Sequence, residues 1–415
     1  MCFWSGCHRY FLFICSCQCI ATLGLMAMVP IMPLYLATIG NGYAPYWSSI
    51  ALAAPAVSGI LFSRKIGAAC DHYGYRLMVI LSLAGFSVSM FFMAFSDSMI
   101  GFLTGRLLLG ATSLSLTLTA FSCAASIESQ RGQSLGFLQS AAALGSLAGP
   151  AIGGVMLDFW SLPLLLAVTA IFSGVAAILA IWILAEPKKL APGLSTLNTS
   201  VGLPEKTIVH EQENNPALKY WAMSACLSQA AAFALVNVFV LFLENQVLNL
   251  PLATTTGIIH AGAWAATMFF SPWWGKANDR YSPKRNFMLA AFGCTISIGV
   301  LPMVDNLWLI IALRFIQGAC FSALAQTVFY ALTQGKHSDI PGAGVGLAKQ
   351  YLLAGQILGP ALVAILIPWV SASHILYWVS GMFMFSALLA FGVGEKPIKE
   401  KSPDKSTPFS LPEKM

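Results

Sequence analysis

The sequence predicts an all-α integral membrane protein whose twelve transmembrane helices form two pseudo-symmetric six-helix bundles. Three observations carry this expectation. First, 57% of the 415 residues are hydrophobic and 9% are charged, with a mean hydropathy of +0.75; an ordinary soluble domain does not cover its surface with so few charges. Second, landmark residues of the first half recur about 210 positions later. Third, Lys and Arg collect in alternate connectors between the apolar runs.

Each apolar run is about 20 residues or more, enough to cross a hydrocarbon core as a helix. The first six lie near 10–38, 46–66, 77–96, 98–121, 133–157 and 162–185, and the second six near 218–246, 252–274, 286–304, 306–332, 342–369 and 373–394. A polar stretch with Pro, Asn, Glu and Lys parts the two sets. The expected organisation is a first bundle over 1–185, a linker over 186–217, a second bundle over 218–394 and a solvated, disordered tail over 395–415. The N-terminal apolar run could pass for a signal peptide, but it continues past Gly24 and Pro30 and is read as an uncleaved first helix.

The repeat is carried by residues that are scarce in apolar helices. Gly67 and Asp71 recur as Gly275 and Asp279, and Arg106 and Gly110 as Arg314 and Gly318, each 208 residues on. Gly136 and Gly149-Pro150 recur as Gly346 and Gly359-Pro360, 210 residues on. A duplicated membrane block implies a two-lobed transporter with its functional site between the lobes.

Orientation follows from charge. Basic residues fall at Arg9, in the second connector (Arg64, Lys65, Arg76), at Arg131, in the linker, then at Lys276, Arg280, Lys284, Arg285 and Lys336, and in the tail. The other connectors carry Asp97, Asp158, Glu244 and Asp305. This bias expects both termini and the linker on the cytoplasmic side of a bacterial-type inner membrane, which requires an even number of spans. The net charge of +6 is thus a topology signal, and nucleic acid is not an expected partner. The ten cysteines include five in the first 19 residues but no Cys-x-x-Cys pair, so they are read as small buried hydrophobes.

Prolines and clustered glycines interrupt several spans: Pro30, Pro33, Pro55, and Gly145, Gly149-Pro150 and Gly153 in the fifth. A proline frees a carbonyl and bends the axis, and small residues at spacing four let helices approach closely. The fifth-span string Gly145-Ser-Leu-Ala-Gly149-Pro150-Ala-Ile-Gly153-Gly154 resembles the antiporter signature of the twelve-span drug:proton antiporters within the major facilitator superfamily. Gly67-Ala-Ala-Cys-Asp71-His-Tyr-Gly74-Tyr-Arg76 resembles the superfamily's loop motif, with a degenerate copy from Gly275 through Asp279 and Arg280 to Lys284. Arg106-Leu-Leu-Leu-Gly110 resembles its fourth-span motif, echoed by Arg314-Phe-Ile-Gln317-Gly318. The likeness runs over essentially the whole chain. The loop motif departs from the pattern at Ala69, Cys70, His72 and Tyr75.

The resemblance implies a major facilitator fold, alternating access, proton-linked export of a small organic molecule and a monomeric state. It further implies that Asp71 meets the unpaired N–H groups at the start of the eleventh helix, from Pro341 to Gly346, and latches the lobes in the outward-open state. The loop glycines permit the tight reversal there.

Charges inside apolar spans mark the candidate substrate cavity, because intramembrane charge is costly and faces a polar gap or a partner. These are Arg106, Arg314 and Lys349, with Gln139, the first-half counterpart of Lys349, and Gln317, Gln350, Gln356 and His260 as further polar groups. Trp264, Phe269, Phe321, Phe329 and Tyr330 are candidate apolar wall. For the arginines the alternative is helix-knitting hydrogen bonds, and for Lys349 snorkelling to the interface. With three fixed cations and no equally deep acid, the cavity is expected to favour an anionic or zwitterionic cargo, such as a carboxylate siderophore. Proton coupling has four candidate groups, Asp71, Glu128, Glu244 and His260. No nucleophile–base arrangement, phosphate loop or metal-ligand cluster stands at useful spacing, so neither an enzyme nor a cofactor or metal is expected.

Overall fold

In a bilayer every backbone N–H and C=O needs an internal partner, which restricts spanning segments to helices or closed barrels. The computed structural model answers with helices. It describes residues 4–28, 44–159, 161–187, 216–244, 252–334 and 341–393; the expected linker, apart from its ends, and the expected tail lie outside these residues. In chain order the first half has α1 (Trp4–Met28), α2 (Ala44–Tyr73), α3 (Tyr75–Ala94), α4 (Met99–Thr112), α5 (Leu114–Ala125), α6 (Arg131–Phe159) and α7 (Leu162–Ile183). The second half has α8 (Pro216–Glu244), α9 (Leu252–Arg280), α10 (Pro283–Val300), α11 (Leu307–Leu332), α12 (Pro341–Leu366) and α13 (Ala372–Phe391).

Two local features depart from the expected spans. The fourth is broken: α4 and α5 meet at Ser113, a non-glycine residue with φ 45°, where the backbone carries a left-handed kink that costs about 1–2 kcal/mol. Its repeat, α11, runs unbroken through Phe321. The eighth span is longer and more polar than expected. Eleven helices are long and apolar enough to cross a membrane among the described residues; α9 is long enough but carries Thr254, Thr255, Thr256, His260 and Lys276. It is the helix pressed most closely against the other half, while its His260, Thr267 and Asn278 side chains turn to α11 of its own half, at Arg314, Gly318 O and Thr327.

Turns are set by specific residues. Gly74, at φ 99°, joins α2 to α3 in one residue, a conformation open to glycine and strained for other residues. Ser98 caps α4 by accepting from Gly101 N, and Asn306 Oδ1 caps α11 by accepting from Trp308 N and Leu309 N. Arg76 Nη2 donates to Ile181 O at the end of α7, and Lys284 Nζ donates to Val393 O just past α13. These are matching clamps in the two halves.

Helix pairing is duplicated throughout. In the first half the main neighbours are α1·α6, α3·α7, α2·α4, α3·α4 and α1·α7; in the second they are α8·α12, α10·α13, α9·α11, α10·α11 and α8·α13. Each pair of the first set has its counterpart in the second. Each half has its own apolar core, around Leu83, Met90 and Phe102 in one and Phe239, Phe287 and Phe383 in the other. The halves meet chiefly through α6·α9 and α2·α12, which are themselves related by the repeat. Eight described cysteines are free.

Candidate functional site

The two crossings between halves are built from glycine. A Cβ on Gly67 would stand 2.3 Å from Gly342 O, and one on Gly346 2.6 Å from Ser63 O. At the repeat-related crossing, a Cβ on Gly275 would stand 2.3 Å from Gly132 O, and one on Gly136 2.5 Å from Ser271 O. No side chain fits between these backbones. The repeat thus places glycine on both partners of both crossings.

A carboxylate closes each crossing at the basic end of the bundle. Asp71, in the last turn of α2, accepts from Gly342 N at 2.9 Å and Ala343 N at 2.7 Å, the first turn of α12, and from the Tyr75 hydroxyl. Asp279, in the last turn of α9, accepts from Gly132 N at 2.7 Å and Gln133 N at 2.9 Å, the first turn of α6, and from the Tyr330 hydroxyl. Both place negative charge where a helix start exposes unpaired donors and the positive end of its dipole. Arg131 adds a third tie across the halves, donating to Thr333 O. Around the first, Glu186 accepts from Tyr75 N and Arg76 N and fixes the start of α3. Arg280 is exposed and stands outside these bonds.

The motif glycines of α6 serve a different contact. Cβ atoms on Gly145 and Gly153 would stand 2.5 Å from Cys19 O and 2.4 Å from Ala27 O, so this string presses α6 onto α1 inside the first half. Pro150 lies within α6, matched by Pro360 in α12; the surroundings of Gly154 lie outside the described residues.

The deep cations do not converge as expected. Arg106 is 4% exposed, and its Nε donates to Ala51 O at 2.8 Å. That carbonyl is the one Pro55 leaves without an in-helix donor, four residues on. Arg106 is therefore a clamp between α4 and α2, not a cavity group, which corrects the expectation for it. Arg314 is 3% exposed; its Nη1 donates to Gln317 Oε1 at 2.7 Å, its Nη2 meets His260 Nδ1 at 3.2 Å, and its guanidinium lies 4.7 Å from the Phe239 ring centroid. Lys349 is half-buried and has no hydrogen bond or ion pair among the described residues. It follows Val345, which packs into the core of the opposite half, by one helical turn and so shares the face of α12 turned toward that half. Gln139, Gln350 and Gln356 are half-buried, and their side chains likewise make no hydrogen bond among the described residues. Trp264, Phe321 and Phe329 are half-buried and Phe269 is exposed.

Two further expectations need correction. Tyr330 is not part of an apolar wall: it is buried, and its hydroxyl serves Asp279 at the basic end. His260 is a poor proton carrier in this conformation. Arginine has only donors to offer, so the contact with Nη2 makes Nδ1 an acceptor and the imidazole neutral, and a second proton would set two cations 3.2 Å apart. Of the other coupling candidates, Asp71 is occupied as described, Glu244 is exposed at the end of α8, and the Glu128 side chain lies outside the described residues.

Comparison with known proteins gives this architecture its place. The family model of the Major Facilitator Superfamily matches residues 14–267 and 252–414. The staphyloferrin B transporter of Staphylococcus aureus is 30% identical over 359 residues, 82% of each chain. The multidrug resistance protein MdtG of Proteus mirabilis is 24% identical over 89% of this chain and 90% of that protein. Among solved structures, the human organic anion transporter MFSD10 (TETRAN) superposes with a TM-score of 0.73 at 14% identity, over 92% of this chain and 99% of that one, a likeness of fold. With twelve crossings, a duplicated pairing scheme and a family match from end to end, the chain belongs to the major facilitator superfamily of membrane transporters.

Proposed function

We propose that this protein is a secondary active transporter that moves a small organic molecule by alternating access, as a proton-coupled exporter in the cytoplasmic membrane. The observation that carries the reading is the pair of carboxylate bonds across the lobes at one end, Asp71 to Gly342 and Ala343 and Asp279 to Gly132 and Gln133. Both are polar and confined to helix termini, so opening that end breaks these bonds and draws the few apolar side chains that cross the boundary, such as Val345, out of the opposite core. The positions of the basic residues support a cytoplasmic placement of that end, and we read this conformation as closed toward the cytoplasm. The likeness to a named multidrug resistance protein supports export.

A second reading is favoured by charge. None of the sixteen carboxylates in the sequence falls deep inside a span, whereas Arg314 and Lys349 do, Arg106 being tied to Ala51 O. This balance, with the likeness to a staphyloferrin B transporter, supports a polar anionic metabolite such as a carboxylate siderophore as cargo, in either direction. The test is flux in vesicles holding the purified protein under an imposed pH gradient, with ethidium and citrate in parallel. Movement of either, driven against its own gradient by protons, is expected. If neither moves, the transporter reading fails; if flux ignores the pH gradient, proton coupling fails.

A further inference from the structure

We propose that Arg314, His260 and Gln317 form a receiving site for a carboxylate of the cargo, and that this site exists in the second half alone. The proposal rests on the transporter reading above and names the chemistry its cargo presents. Duplication supplies an internal control. Both halves keep an arginine at the same place, Arg106 and Arg314. In the first half its Nε is taken by Ala51 O, the carbonyl that Pro55 frees. In the second half the residue at the place of Pro55 is Ala263; its N–H remains, and no carbonyl is left for the guanidinium. Arg314 is thus released from the clamping role that occupies Arg106.

What surrounds it also differs. Leu52 and Leu109 of the first half are replaced by His260 and Gln317 at the corresponding positions, each 208 residues on. Gln317 Oε1 holds Nη1 at 2.7 Å, and Phe239 covers one face at 4.7 Å, which fixes the plane. The opposite edge, Nε with Nη2, is left for a ligand. Nε is buried with no acceptor at all, and Nη2 has only the neutral His260 ring at 3.2 Å. This edge matches the two oxygens of a carboxylate, which guanidinium takes with parallel bonds. A buried guanidinium with one N–H orphaned and no carboxylate against it is costly, and an incoming anion removes that cost. His260, half-buried on α9, is the replaceable partner: a carboxylate that takes Nη2 frees the imidazole, which then turns its N–H to the ligand. The site is covered in this conformation, so occupation follows movement of α9 against α11.

The first half shows that the fold accepts leucine at both polar positions, which defines the test. Citrate is the probe, titrated against the purified full chain in detergent by calorimetry, with tetraphenylphosphonium as the cationic contrast. Citrate binding by the parent protein is expected, with affinity at least tenfold weaker in His260→Leu/Gln317→Leu and lost in Arg314→Lys, which keeps the charge but not the fork. Arg106→Lys is expected to bind as the parent does. Unfolding midpoints without ligand establish that each variant is folded; should the double variant fail to fold, Arg314→Lys carries the test. Citrate binding unchanged in the double variant or in Arg314→Lys overturns the proposal, as does a parent protein that ignores citrate. If ethidium still moves in vesicles while citrate does not bind, this site falls and the transporter reading stands.

Discussion

A carboxylate that accepts two backbone N–H groups across a moving boundary holds it closed only while it is charged. Asp71→Asn keeps the shape and one acceptor but loses the charge, and hydrogen bonds to charged groups contribute about 1.5–3 kcal/mol each. We expect the closed population to fall roughly tenfold relative to the open one, since about 1.4 kcal/mol is a factor of ten. Spin labels at Tyr73 and Tyr281, exposed and repeat-related in the two halves, read the separation of the basic end directly. An unchanged distance distribution in Asp71→Asn would show that the bond is not a latch. The Arg106 clamp makes a second residue-level prediction. Arg106→Leu leaves Ala51 O without a donor and is expected to lower stability by about 1–3 kcal/mol. Adding Pro55→Ala returns the in-helix N–H, so the double variant is expected to recover part of the loss in thermal unfolding. Strictly additive losses would mean that the carbonyl was never the point of the contact. Both residues stood out in the sequence, Pro55 as a kink and Arg106 as a misplaced charge. Their pairing was not legible, because it joins a carbonyl on one helix to a side chain 55 residues away.

At the level of helices, glycine decides which surfaces touch. A Cβ on Gly149 would stand 2.7 Å from Met26 Cβ and 2.8 Å from Leu23 O, whereas one on Gly262 or Gly381 would meet nothing within 4 Å. Gly149→Ala is therefore expected to push α6 off α1 and destabilise by about 1–3 kcal/mol, while Gly262→Ala and Gly381→Ala leave the unfolding midpoint unchanged or slightly raised. Equal effects at all three sites would refute the packing account. Spacing of four already marked the fifth-span glycines as a close-contact stripe, but periodicity does not reveal the partner, and α1 rather than the opposite half received it. The break at Ser113 was invisible for a related reason. Serine has no bar to a continuous apolar helix, and no proline or glycine at that position marks the left-handed turn. The polar character of α9 was legible as His260 and the threonines, and the partners that His260 and Thr267 find on α11 explain how a helix with so many polar groups is accommodated.

The whole molecule adds something that neither helix nor residue contains, which is the relation between the two crossings. The diagonal of Gly, Asp and Arg matches in the sequence maps onto space with few exceptions: Gly67 meets Gly342 as Gly275 meets Gly132, and Asp71 meets α12 as Asp279 meets α6. Architecture was legible because duplication leaves a long-range record that single motifs do not. The shared cation vestibule expected from the sequence did not follow, because equal positions in a repeat fix where a backbone sits and leave its partners free to differ, as Arg106 and Arg314 do. Both carboxylates lie at the same end, so they close it in parallel, and separation of the lobes there requires both to release. Their sites share no partner residue, which predicts independent free energies. If Asp71→Asn and Asp279→Asn each shift the equilibrium about tenfold, the double variant shifts it about a hundredfold, enough to carry a mostly closed ensemble to a mostly open one. The same Tyr73–Tyr281 label pair measures all three proteins. A double variant no more open than either single one would mean that one crossing alone holds that end and that the other is only packing. With both bonds weakened and the glycine contacts intact, the residual closed population reports what the backbone-to-backbone approach contributes together with the Arg131–Thr333 and Ser140–Met268 bonds.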